Sequence, residues 1–525
     1  MGRLVLDLRG LPPPEPMVRL LAALGKGEVE ARLPHEPLPL YPMLEQRGYE
    51  HVVERTEPGL CVLVIKKRRP REDAAAPLPP VEPAGACRPA PFRGSEPFMR
   101  IAPPLSLPLR HFAGGALAFV TFATALLFGA ERLAGFGIDG RFALGLVHVL
   151  TLGWVAQTIL GAWTQMIPVH GGTPLASVRA GKVGWWLFVG GAAGFVTAIE
   201  SGSARYWIPA AVAFTGVLIS LANLAVTHAR AEQRDWTGLH FSAAFAWLAS
   251  LGLVGVLMAI DRHRAVIFRD PDGGLIAHVH MALAGFVTTT IFGAGYRLFP
   301  SVALRRLRSR LPGQVAFALL QIGTAGLALD ALFFGRRLMP LWACLLAGAF
   351  AVYFSQMRPP TRKKLGAADA LVGLAVAGGA AWVVLGLALA FGIVSDDTNA
   401  RAAYVWCGLV GFFTPVILSQ LHKIPPFLVW LHVYSPRQWT PPVRVPKIDD
   451  LVDARLAWAE CAALAAAVPL GAAGLLRESP LLIRAAGAGL LLCAALYAAN
   501  LIALLRHVVR PDGQWSLPEK KRPAP

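Results

Sequence analysis

Two histidines stand at matching places in two matching segments. HVLTLGWVAQTILGAWTQMIP runs from His148 to Pro168 and HMALAGFVTTTIFGAGYRLFP from His280 to Pro300; eight of the twenty-one positions agree at a constant offset of 132 residues. In the first segment His148, Thr151, Val155, Thr158, Ala162 and Gln165 recur at three- and four-residue steps, which puts them on one face of a helix. The matching stripe in the second is His280, Leu283, Val287, Thr290, Ala294 and Arg297. His278 points about 200° away from His280, so His280 is the expected partner of His148. An imidazole at membrane depth is costly unless it finds a hydrogen bond or a metal. A haem iron satisfies both histidines at once, and a hydrogen bond to a neighbouring helix is the plainer alternative.

Three further histidines are candidate metal ligands: His278, His240 and His422. His422 precedes Pro425 and Pro426, where a kink frees backbone carbonyls. His111, His170, His228, His432 and His507 fall nearer helix ends, where a helix dipole or the interface accounts for them. Asp330 and Arg297 are intramembrane charges that need a partner or water and would serve proton or anion movement or anchor an interface. The six cysteines (Cys61, Cys87, Cys344, Cys407, Cys461, Cys493) show no CxxC or zinc spacing, which excludes a disulfide framework. No catalytic residue stands out.

The elements that must position these groups are membrane helices. Of 525 residues 55% are apolar and 16% charged, and the mean hydropathy is +0.51, which excludes an ordinary globular protein. The net charge of +18 sits mostly in short segments between apolar runs, so it reads as topology and not as nucleic-acid binding. Twelve apolar spans lie between residues 109 and 508, the second at 143–168, the sixth at 275–300 and the tenth at 402–432. The tenth ends with Pro425 where the other two have Pro168 and Pro300, so the expected fold is an all-α polytopic bundle of three four-helix units. RRLRSR, RPPTRKK and the 436–447 stretch are the most basic loops, and no cleavable signal is visible, which places both termini in the cytoplasm of a bacterial inner membrane.

Residues 1–68 read as a separate α+β two-layer domain. LVLDLR, EVEARL, HVVERT and GLCVLVIKK alternate as strands, with helices expected from Glu15 and around 40–47. Residues 69–108 form a Pro/Ala-rich linker and 509–525 a cytoplasmic tail. The segment DLRGLPPPEPMVRLL resembles the opening of the TusA-like (SirA-like) sulfur carriers, in which a persulfide-bearing cysteine precedes Pro-Glu-Pro. Pro13 holds that place here and carries no sulfur. Cys61 falls in an apolar strand and reads as a core residue. The resemblance therefore implies a carrier scaffold without its nucleophile, suited to binding a redox or regulatory protein partner.

Twelve spans in three units, with histidines on the second and sixth, resemble subunit I of the haem-copper oxidase superfamily and the NnrS-type membrane proteins. The resemblance implies that His148 binds haem. In the superfamily the other haem ligand comes from a His-x-His pair on the tenth span, where RAAYVWCGLVG offers none, and copper ligands come partly from a His-His pair on the seventh, where GQVAFALLQIGTAGLALDALFFG offers none. His280 is then the other axial ligand, or holds a single metal such as copper, with Trp154, Tyr296 and Trp406 packed nearby. The expected function is a haem-binding membrane protein of respiratory or nitric oxide metabolism that is not a complete terminal oxidase, an oxidoreductase if an enzyme. A membrane transporter and a non-catalytic sensor or assembly factor are the rivals.

Overall fold

The computed structural model describes residues 3–9, 19–20, 23–24, 27–33, 37, 44, 49–57 and 60–67, and then 101–509 apart from 137–139, 232–234, 263–265, 304–310, 358–364 and 435–445. The chain divides into two compact units, residues 1–100 with 294–310, and residues 101–293 with 311–525. Residues 69–100 of the expected linker, 510–525 of the expected tail, the Pro-Glu-Pro motif with Pro13, and most of the three basic loops lie outside the described residues, while residues 106–108 at the end of that linker already belong to the first long helix.

The N-terminal domain is a four-stranded sheet of β1 (Leu4–Asp7), β2 (Val29–Leu33), β3 (Tyr49–Glu57) and β4 (Leu60–Lys67), in the order β1-β2-β4-β3. β1 runs parallel to β2, and the other neighbours are antiparallel. Alternation works as the sequence requires: Val29, Ala31 and Leu33 of β2 turn inward beside Cys61, Leu63 and Ile65 of β4. Arg19, Leu20, Ala23 and Leu44 are the described parts of the two expected helices, and all four are helical. Leu20, Ala23 and Leu44 close the core, which makes the domain two-layered. Cys61 is fully buried there, consistent with a packing role.

Twelve helices are long and apolar enough to cross a membrane. They are α1 (Ser106–Phe128), α2 (Arg141–Gly171), α3 (Val178–Glu200), α4 (Trp207–Ala229), α5 (Trp236–Asp261), α6 (Pro271–Tyr296), α7 (Leu311–Phe334), α8 (Met339–Gln356), α9 (Ala367–Ala390), α10 (Thr398–Tyr434), α11 (Ala454–Leu476) and α12 (Pro480–Val509). Their ends carry ordinary caps: Ser177, Asp235 and Asp397 accept from the backbone N–H three residues on.

The three-unit repeat is visible in how they pack. Helices α3 and α4, α7 and α8, and α11 and α12 form equivalent hairpins, while α4 against α5, α8 against α9 and α12 against α1 join each unit to the next, closing a ring. The repeated helices α2, α6 and α10 occupy its middle: 61%, 61% and 78% of their apolar windows are buried, against 17–44% in the other nine. Each also widens into a π-helix, over Val149–Ala156, Met281–Thr288 and Cys407–Phe413. Thr288 and Thr414 support two of these by donating to the carbonyls of Leu283 and Leu409, five residues back. All three π stretches end twelve residues before the matching proline (156 to 168, 288 to 300, 413 to 425). The even 3.6-residue stripe drawn from the sequence does not survive these wider turns, because each residue in a π turn advances by a smaller angle.

Candidate functional site

His148 and His280 each stand immediately before a π stretch, at the same register of the repeat. Trp406 holds that position on α10, one residue closer to its proline because the third stretch is one residue shorter. Both histidines are oriented by their own helix: Nδ1 bonds the carbonyl four residues back, His148 to Leu144 at 2.7 Å and His280 to Ile276 at 2.8 Å. That fixes the ring and turns Nε2 outward, the presentation a metal-binding imidazole requires.

The tertiary structure does not pair these two histidines with each other. His280 Nε2 meets the hydroxyl of Tyr404, on α10, at 3.0 Å. The partner that comes within electrostatic range of His148 is His278. Leu144 and Leu152, one turn either side of His148, pack against the cluster of Phe195, Ile199, Tyr206 and Ala259, and His278 lies against Gly255 of α5, one turn from Ala259. The separation of about 200° between His278 and His280 that the sequence predicted is what allows this. His280 meets α10 through Tyr404, and His278 lies against Gly255 of α5.

His278 differs from its neighbours in being incompletely satisfied. The Leu251 carbonyl lies beside its ring, yet Nδ1 is buried with no hydrogen-bond partner among the described residues. His148 stacks edge-on against Phe195 at 5.0 Å, and its Nε2 has no protein partner among the described residues. Both rings are half-buried, so open surface adjoins them inside the most buried part of the bundle. Two imidazoles within electrostatic range of each other, each approached by a backbone carbonyl and each with a nitrogen that has no partner among the described residues, suit ligation of a haem or a metal ion.

The remaining candidates do not join this group. Among the described residues no three His, Cys, Asp or Glu side chains converge on a metal position. His240 is fully buried, donates from Nδ1 to the Trp236 carbonyl (2.9 Å) and packs on Phe317 at 4.7 Å. It lies on α5 fifteen residues before Gly255, roughly 22 Å along the helix from His278. His422 lies about 25 Å along α10 from Tyr404 and bonds Glu460 at 3.0 Å. Trp154 stacks on Phe119 of α1 and Trp406 donates to the Val468 carbonyl of α11, so both face away from the His148 compartment. Asp330 caps the turn after α7, accepting from the N–H groups of Arg337 and Leu338. The side chain of Arg297 lies outside the described residues.

Sequence reasoning missed Tyr404 and Gly255. Tyr404 stands two residues before the cap position of α10, where α6 has His278, and the repeat alignment was the signal that would have exposed it. Gly255 carries no signal of its own. A Cβ there would come within 2.8 Å of the His278 ring, and one at Gly386 of α9 within 2.9 Å of the Tyr404 ring, so both glycines make room for the ring beside them.

Residues 5–67 match a family described as an uncharacterized conserved protein (DUF2249), which covers the N-terminal sheet domain. No curated protein matches the chain.

Proposed function

We propose that the helical body is a haem-binding, multi-pass protein of a bacterial inner membrane, related to oxidase subunit I or NnrS-type proteins and acting in respiratory or nitric oxide metabolism. The observation that supports the reading is the pair His148 and His278, on two of the three central helices and within electrostatic range of each other, with nitrogens that have no hydrogen-bond partner among the described residues. His148 and His278 would hold the haem. A bound haem supplies reversible one-electron chemistry at this place. The protein's own part is to orient the two rings through the Leu144 and Leu251 carbonyls and to enclose them between α2, α3, α5 and α6. His280, tied to Tyr404, braces α6 against α10. Copper remains a lesser candidate for the same pair. The basic loops support a cytoplasmic position for both termini, where the N-terminal domain would bind a redox or regulatory partner.

The test is optical. Full-length protein purified in detergent after expression with ample haem gives a Soret band that shifts on reduction; His148→Ala and His278→Ala lose it and His280→Ala keeps most of it. A folded, haem-free preparation would overturn the reading and bring forward a transporter or sensor. The transporter reading has one observation in its favour, the buried and unpartnered polar atoms of Gln157, Thr158 and Gln165 on α2.

A further inference from the structure

At the other end of α10 a second group of polar side chains is buried that the His148 compartment does not use. His422 Nε2 lies 3.0 Å from Glu460 Oε1 of α11, with the side chains 6% and 0% exposed. The second carboxylate oxygen of Glu460 has no hydrogen-bond partner among the described residues, and neither has the hydroxyl of Tyr497 on α12. The Tyr497 ring stands edge-on to His422 with centroids 6.4 Å apart and lies within electrostatic range of Glu460. Cys461 on the same helix and Cys493 on α12 are the other titratable groups that feel this carboxylate. Next in sequence to His422, Lys423 Nζ lies 3.9 Å from Asp369 Oδ1 of α9, and these two side chains are 32% and 26% exposed.

A buried pair serving only as a latch needs all of its donors and acceptors satisfied, because each orphaned polar atom in a low-dielectric interior is destabilising. Here the latch is incomplete on the side away from His422. An open carboxylate oxygen in this interior, with an open phenol within electrostatic range, is completed by a proton: added to Oε2, it neutralises the buried charge and makes that atom a donor. His422 on Oε1 holds the carboxylate in place whichever form it takes, and the half-exposed Asp369 and Lys423 mark where the group approaches the surface.

We propose that Glu460 and His422 form a proton-binding site in the membrane, filled from the side of Asp369 and Lys423 and facing Tyr497. The site takes one proton onto Glu460 Oε2 and returns it by the same oxygen; no bond between heavy atoms changes. It goes beyond the haem reading and does not rest on it.

Infrared difference spectroscopy of the full-length protein in detergent tests this without any need for haem. Stepping the pH is expected to reveal a protonated-carboxyl band that shifts in D2O, disappears in Glu460→Gln and is retained, displaced, in Glu460→Asp. His422→Gln moves its midpoint by about one pH unit or more, Tyr497→Phe changes its frequency, and Asp369→Asn slows its exchange with D2O. A band that persists in Glu460→Gln, or a midpoint that ignores His422→Gln, would overturn the proposal. Should Glu460→Gln fail to fold, the wild-type band decides with His422→Gln and Tyr497→Phe: no exchange with D2O over hours identifies a sealed latch and rejects the site.

Discussion

The compartment between α2 and α6 and its repeat-equivalent between α6 and α10 are built alike and finished differently. In the first, His148 stands before the π stretch of α2 and His278 reaches it from α6, with Gly255 of α5 making room for the ring. In the second, His280 stands before the π stretch of α6 and Tyr404 reaches it from α10, with Gly386 of α9 making room. Tyrosine gives His280 Nε2 a hydroxyl at 3.0 Å and closes the second compartment within the protein. Histidine at the same register leaves a buried Nδ1 without a partner. One side chain thus separates a hydrogen-bonded brace from a pair that can bind a ligand, which fold resemblance alone does not distinguish.

Exchanging the finishing residues breaks the comparison most directly. His278→Tyr should close the first compartment, and bound haem, measured as pyridine haemochrome per protein, should fall at least about tenfold, the loss expected when a ligand's supporting geometry goes. Unchanged haem in that variant would show that His278 is not a ligand. The reciprocal Tyr404→His opens the second compartment and should raise the haem or metal bound per chain; a stoichiometry equal to wild type would mean that register alone does not make a site.

Gly255→Val is the next largest effect, since a branched side chain displaces the His278 ring; a loss of about tenfold in haem affinity is expected, whereas Gly386→Val should leave it unaltered. Tyr404→Phe leaves His280 Nε2 unpaired and should cost about 1–3 kcal/mol of stability in thermal unfolding, with the Soret band unmoved. A shifted band would place His280 in the haem site.

The smallest effect lies at the entry to α10. The Arg401 guanidinium, 2.7 Å from Asp396, holds that carboxyl below the usual aspartate range. A depressed carboxylate stabilises the fold at pH above its unfolded value, and the contribution is lost as pH falls through the lower folded value. Melting temperature should therefore drop slightly in acid, and Asp396→Asn should remove that part of the slope; because both side chains are largely in solvent the change is a fraction of a kcal/mol.

Much of this was legible without coordinates because it depends on local composition. Apolar runs of sufficient length fix the twelve helices, and alternation in EVEARL and LCVLVIKK fixes which side of the N-terminal sheet is buried. The repeat was legible from eight identities and three prolines, and with it the central place of α2, α6 and α10. The pairing of histidines was not. A helical wheel assigns a face, but not the helix that faces it, and His148 had two candidates two residues apart. Asp330 likewise read as an exposed intramembrane charge until the backbone N–H groups of Arg337 and Leu338 were seen to fold back onto it.

The sequence by itself thus determined the number of helices, their repeat, the two-layer N-terminal domain and the residues capable of ligation, since hydropathy, periodicity and side-chain chemistry are properties of the chain. Only the tertiary structure decided that His278 comes within electrostatic range of His148, that Tyr404 closes His280 and that Glu460 meets His422, because each pair joins residues 38 to 130 positions apart. Such contacts follow from how the helices order themselves around the ring, and the π turns rotate each side chain away from the face that a regular helix would assign it.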